Sequence, residues 1–226
     1  MESNCPEAKY LLPGCQLASI VHAVSLCRFP VLAHEQSWDG TNYNIQDSCG
    51  SFGTISFAQA GIVGVFFDCN SKRNPHVLGE YVDPNAYFRG MPEILRSIAE
   101  SEALQYTLEE YNGQVNPMIT AAFWCRYPDT VLQSSESWED SLSNGVHLVE
   151  RQLQPADVAM KHWIDDSELS ESEATLCWEL FQRLTAQGVD RIKLDDSEQE
   201  FLRRNSVSNE GLDACCQLLS AIGFAT

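Results

Sequence analysis

The segment His34-Glu-Gln-Ser-Trp-Asp-Gly-Thr-Asn-Tyr-Asn-Ile-Gln-Asp47 places imidazole, carboxylate, amide, indole and phenol groups within fourteen residues, and Cys49 follows two positions later. No other stretch of the chain gathers as many groups able to bind or react. His34, Glu35, Asp39 and Asp47 offer the mixed nitrogen and oxygen donors that suit zinc or manganese, with Asp68 or His76 as further ligands. The spacing is irregular, however. The second histidine of an HExxH helix would fall at Trp38, so that motif is absent. No metal and no cofactor is assigned.

Cys49 is a second chemical candidate, as a nucleophile. Papain-like enzymes place the cysteine at the start of a helix, whose dipole lowers the thiol pKa, with a glutamine well upstream. Here Gln46 stands only three residues before Cys49, and a glycine turn and a strand pattern follow. A base such as His76 or His147 would have to be supplied by the fold. The competing reading is structural. Asp39-Gly40 signals a turn, Asn42 and Asp47 can hold an irregular loop through backbone amides, and Trp38 and Tyr43 can cap an apolar core. The candidate ligand-binding set is therefore His34, Glu35, Trp38, Asp39, Asn42, Tyr43, Asp47 and Cys49.

The elements that must position this cluster follow it directly. Gly53-Thr-Ile-Ser-Phe57 and Ile62-Val-Gly-Val-Phe-Phe67 read as a hairpin turning at Gln59-Ala-Gly61. In the first strand Ile55 and Phe57 alternate with Thr54, Ser56 and Ala58, which predicts one buried face. The second is apolar on both faces, which predicts a central position. Residues 15–28, between Pro13-Gly14 and Pro30, read as a buried helix carrying Leu17, Ile20, Val21, Val24 and Leu26.

Beyond the hairpin the strand signal fades. Met91–Leu104 shows a helical stripe of Ile94, Leu95, Ile98 and Leu104. Met118–Trp124 is an apolar run too short to assign. Ser137–Leu153 reads as an amphipathic helix with Gly145 in its middle. Ser170-Glu-Ser-Glu173 has capping-box spacing and opens a helix running to Gln187, before Gly188. Asp195–Arg204 and Asn209–Ile222 complete the helical set, the last stopped by Gly223. Asp165-Asp-Ser-Glu168 lacks the alternating ligands and glycine of a calcium loop and reads as a solvated helix end. The expected fold is α+β: a small antiparallel sheet, including the hairpin at about 53–67, packed against several helices, with a helix-rich C-terminal half. A boundary near residues 75–85 would leave a small N-terminal part, so one domain over residues 1–226 is expected.

Composition narrows the function classes. A hydrophobic content of 44% supplies a core. No run approaches the roughly 18 apolar residues of a membrane helix, and Met1-Glu-Ser-Asn-Cys-Pro-Glu lacks the basic start of a signal peptide. A cytoplasmic protein is expected. The nine cysteines contain no CxxC pair, and most sit in apolar company, where reduced cysteine acts as a small core residue. The net charge is −18, and residues 76–226 hold −16 of it. Such a field repels nucleic acid and anionic membranes and draws cationic partners. These features favour an interaction protein of inhibitor or immunity type that binds a basic partner through the helical region. The alternative is a small hydrolase or ligand-binding enzyme built on residues 34–49.

Overall fold

The computed structural model describes residues 5–186 and 191–225. Its α-helices and strands run in the order α1 (Leu11–Leu26), β1 (Gln36–Asp39), β2 (Asn42–Gln46), β3 (Phe52–Ala58), β4 (Gly61–Phe67), α2 (Pro75–Leu78), α3 (Glu93–Ser101), β5 (Leu108–Tyr111), β6 (Gln114–Pro117), β7 (Ala121–Arg126), α4 (Trp138–Leu142), α5 (Ala156–Asp166), α6 (Glu171–Ala186), β8 (Ile192–Lys193), α7 (Asp196–Asn205), α8 (Asn209–Ala221) and β9 (Phe224–Ala225). The fold is α+β. Met1-Glu-Ser-Asn and the expected helix end at Gln187-Gly188 lie outside the described residues.

Five antiparallel strands form the main sheet in the order β1-β2-β3-β4-β7. The β3–β4 hairpin matches expectation, with Ala58 opposite Gly61 and Gln59-Ala60 as its loop. All seven residues of β4 are buried, because this strand lies between β3 and β7 with packed layers on both faces. The run at 118–124 resolves as the approach to β7 and most of that strand. The segment read as an irregular loop is a hairpin. β1 and β2 pair with Asp39 opposite Asn42, and Gly40, at φ 58°, supplies the tight turn.

Opposite residues in antiparallel strands share a face, so the register sorts the side chains into rows. On one face Trp38, Tyr43, Ile55, Gly64 and Phe123 lie side by side. This face packs on Leu11 and Cys15 of α1 and on Val146, Val149 and Leu153. On the other face one row reads Ser37, Asn44, Thr54, Val65, Ala122, and the next reads Asp39, Asn42, Ser56, Val63, Trp124. Both rows change from polar to apolar between β3 and β4. The apolar half is covered by Leu95 and Ala99 of α3 with Leu104.

Helix α1 joins the sheet to the helical layer. Its Leu17, Ile20, Val21 and Val24 enter a core with residues of α5, α6 and α8, so it is buried nearly all round. It starts at Leu11, ahead of the expected position 15. Pro13 falls in its first turn, where a missing amide costs no helical bond. Other expectations need correction. Ile94 is 55% exposed rather than part of the α3 stripe. The helix expected over Ser137–Leu153 is broken. Gly145, at φ 130°, separates α4 from a 3-10 turn at Val146–Val149, and a Cβ on Gly145 would lie 2.8 Å from that of Phe66. Helix α5 carried no assigned signal, and Asp165-Asp-Ser-Glu168 forms its C-terminal exit. The Ser170 spacing forms a box, with Glu173 accepting from the Ser170 amide at 2.8 Å, and a second box, not expected from the sequence, opens α7, where Glu198 accepts from the Asp195 amide at 2.8 Å.

Gly14 provides a test whose sign separates propensity from packing. Intrinsic propensity favours Ala over Gly inside a helix by about 1 kcal/mol. A Cβ at Gly14, however, would sit 2.0 Å from the Gln152 carbonyl oxygen, a backbone atom that cannot rotate away. Gly14→Ala should therefore destabilise the fold by about 1–3 kcal/mol in chemical denaturation, and a stabilised variant would refute the close approach.

Candidate binding groove on the outer sheet face

The polar half of the two rows builds a groove. Ser and Thr hydroxyls on β3 face the amides of β2, and each buried hydroxyl finds an acceptor. Thr54 donates to Asn44 Oδ1 at 2.6 Å, and Ser56 donates to Asn42 Oδ1 at 2.6 Å. With both carbonyl oxygens so used, the amide nitrogens point outward along the rows. Asn44 Nδ2 donates to Ser37 Oγ at 3.5 Å, and Asn42 Nδ2 donates to Glu102 Oε2 at 3.0 Å. Thr54, Ser56 and Asn42 are all buried, so β3 is buried on both faces rather than one.

The far wall comes from the segment after α3. The Tyr106 hydroxyl donates to Asp39 Oδ2 at 2.6 Å and accepts from Asn42 Nδ2 at 3.4 Å. The bond to Asp39 is the largest influence raising the Tyr106 phenol above its ordinary pKa, and burial adds to it. A groove of about 400 Å³ lies over His34, Ser37, Asp39, Asn44, Gln46, Thr54, Tyr106 and Glu109, with Phe52 at its floor. A second recess of about 480 Å³ continues over Asn42, Ser56 and Glu102, and the two share Asp39 and Tyr106. No lysine or arginine lines either one. Among the described ion pairs none involves Asp39, Glu102 or Glu109.

The candidate residues divide among several tasks. His34 and Asp39 line the groove, and Asn42 lies in the adjoining recess. Trp38 and Tyr43 point to the opposite face. The Trp38 indole donates to Ser19 Oγ at 2.9 Å, and the fully buried Tyr43 hydroxyl accepts from Gln152 at 3.3 Å. Burial holds the Tyr43 phenol well above its ordinary pKa. Asp47 caps the turn before β3, accepting from the amides of Cys49 at 2.8 Å and Ser51 at 3.0 Å. Glu35 accepts from Ser48 Oγ at 2.7 Å, and His34 Nε2 lies 2.9 Å from the same oxygen. Because the one Ser48 proton goes to Glu35, the imidazole is the donor in the second bond. His34 is thus not placed to deprotonate Ser48. Cys49 is exposed on the turn, outside the groove. The two histidines considered as its base are engaged elsewhere: His76 packs against Tyr111, and His147 Nδ1 lies 3.2 Å from the Leu142 carbonyl. Asp68, considered as a metal ligand, accepts from Ser51 Oγ at 3.2 Å. Among the described residues no group of three or more His, Cys, Asp or Glu side chains could hold a metal ion.

Ser37, Asn44, Gln46 and Thr54 belong to the groove but not to the candidate set. Their period-two spacing was the available signal. Tyr106, Glu102 and Glu109 carried none, since they arrive from a distant segment. No family model, no curated protein and no solved structure matches the chain.

Two variants test this geometry. Asn42→Ala strands the buried Ser56 hydroxyl and should cost about 1–3 kcal/mol in denaturant unfolding. Asp39→Asn removes the carboxylate that accepts from Tyr106, so the Tyr106 phenol should titrate nearer its ordinary value. The sign follows from linkage: the raised phenol pKa contributes stability at neutral pH that is lost as pH climbs through the folded-state value. An unchanged Tyr106 titration in Asp39→Asn would contradict the bond.

Proposed function

We propose that this protein is an interaction module, of inhibitor or immunity type, whose sheet groove receives lysine or arginine side chains of a basic protein partner. The observation that carries the reading is the charge state of the groove. Asp39, Glu102 and Glu109 border one continuous recess that no lysine or arginine lines, while Arg28, Arg73 and Arg183 pair elsewhere, with Glu173, Glu136 and Glu198. Unpaired carboxylates beside fixed amide and hydroxyl groups match a guanidinium, which carries five donors and no acceptor. The net charge of −18 adds long-range attraction for such a partner and disfavours nucleic acid. The expectation of contact through the helical region alone is thereby shifted to the sheet face.

A cytoplasmic setting fits this reading, since Cys15, Cys27, Cys125, Cys177 and Cys215 are buried free thiols. Among the described residues no helix is long and apolar enough to cross a membrane. The hydrolase alternative has no comparable support: Ser48 commits its proton to Glu35, and Cys49 lies outside the groove.

Titration with a short polyarginine peptide tests the proposal. The native protein should bind it with an affinity that falls as salt rises. The double variant Asp39→Asn/Glu109→Gln should weaken binding by about tenfold or more, as expected for close charge pairs. A control on α6, Glu171→Gln/Glu179→Gln, removes the same charge and should bind nearly as the native protein does. Equal weakening by both pairs would reduce the effect to net charge and reject the groove as the binding site.

A further inference from the structure

Independently of what the groove binds, we propose that Cys49 and Cys69 form a redox-active thiol pair that reacts with small disulfides of the glutathione class. Cys49 is the entry thiol and Cys69 the resolving one. The two residues meet across the start of the β3–β4 hairpin. Phe52 pairs with Phe67, and continuing that register outward sets Gly50 opposite Cys69, with Cys49 next in line. Cys69 Sγ donates to the Cys49 carbonyl oxygen at 3.2 Å, and a Cβ on Gly50 would lie 3.2 Å from the same sulfur. Carbonyl geometry then keeps that sulfur within about 6 Å of the Cys49 Cα. A disulfide needs Cα atoms about 4.4–6.8 Å apart, so closing the pair requires the exposed Cys49 side chain to turn toward Cys69 Sγ.

Access and anchoring assign the two roles. Cys49 is exposed and Cys69 half-buried. The Cys69 carbonyl accepts from Asn74 Nδ2 at 2.9 Å, and the neighbouring Asn70 amide is held by Asp68 at 2.8 Å, so Cys69 stands on a fixed backbone. Cys27 and Cys215, which also meet, lie inside the helical core, where a tripeptide disulfide cannot reach.

The chemistry balances without a further reagent. The Cys49 thiolate attacks one sulfur of the small disulfide, whose S–S bond breaks and releases a thiolate that takes up a proton. The Cys69 thiolate then attacks Cys49 Sγ, breaking the mixed disulfide and releasing the second small thiol. The protein loses two hydrogens, and one disulfide becomes two thiols. The new bond would tighten the turn bearing Ser48, whose hydroxyl links Glu35 and His34 at the groove's mouth.

The test is exposure of the full chain to oxidised glutathione, acid quench, alkylation, and intact-mass and peptide mapping. The native protein should lose two hydrogens and yield a Cys49–Cys69 cross-linked peptide with no lasting adduct. Cys69→Ser should stop at a stable glutathione adduct on Cys49. Cys49→Ser should react at Cys69 at least about tenfold more slowly, through loss of the exposed thiol. The proposal is overturned if the native protein keeps the adduct as Cys69→Ser does, if the cross-link maps to another pair, or if Cys49 stays unmodified.

Discussion

A hydroxyl or amide withdrawn from water must find a hydrogen-bonding partner, or the fold loses about 1–3 kcal/mol for each. On the outer face of the sheet that requirement falls on Thr54, Ser56 and Asn42. Each sits where a purely apolar protein would carry valine, and the same rows do carry Val65 and Val63 one strand further on. The change at the β3–β4 boundary decides much of the architecture. Where the rows are apolar they draw α3 down as a lid. Where they are polar no apolar cover would satisfy them, so the surface stays open, and its amides are oriented by the hydroxyls behind them. Tyr106 stands at the junction, with its ring beside the lid and its hydroxyl bonded to Asp39. The groove is thus the uncovered remainder of a face whose other half is core.

The opposite face obeys a different constraint. Trp38, Tyr43, Ile55 and Phe123 form an aromatic and aliphatic floor, with the Trp38 and Tyr43 rings 5.1 Å apart. Their two polar tips are the reason α1 and the 146–153 segment are held so closely: one reaches Ser19, the other Gln152. Gly14 allows the same approach from the helix side. At the other end of α1, Arg28 Nε lies 3.1 Å from Glu173 Oε1, and its guanidinium also donates to the Ser167 carbonyl at 2.9 Å, fixing α1 against the start of α6. Helix α1 is therefore held by polar contacts at its middle and just past its C-terminus, which set its position in a way that non-directional apolar packing cannot.

These physical distinctions also explain what could be read in the amino-acid order. The β3–β4 hairpin was legible because two apolar runs flank a short turn, and α6 because its capping box is local. Helix α1 was legible in kind but not in extent, since Pro13 looks like a boundary although a first-turn proline is not one. Gly145 ended a helix that apolar periodicity alone would have carried through. The β1–β2 hairpin was hidden by its own polarity. Ser37, Trp38 and Asp39 alternate as a strand should, as do Asn42 to Gln46, yet so many hydrogen-bonding side chains read as a loop. The candidate residues lie close in sequence but divide in space, because period two sends adjacent residues to opposite faces: Asp39 and Asn42 go to the groove, Trp38 and Tyr43 to the core. Tyr106 and Glu109 depend on contacts more than sixty residues distant from β1, and no local pattern encodes those.

The Tyr106–Asp39 bond spans 67 positions of the chain, and this separation ties the groove to folding in a particular way. None of the described ladder hydrogen bonds of β1 to β4 involves residues 93–109, but the groove has no far wall until that segment docks. A local opening that lifts Tyr106 away from Asp39 removes that wall. An occupant that touches both sides binds only the docked state, so its affinity is reduced by the undocked fraction and its binding free energy is added to the docking equilibrium. Occupancy and local order then rise and fall together, and protection of backbone amides in the segment after α3 becomes a direct reporter of whether the groove is filled.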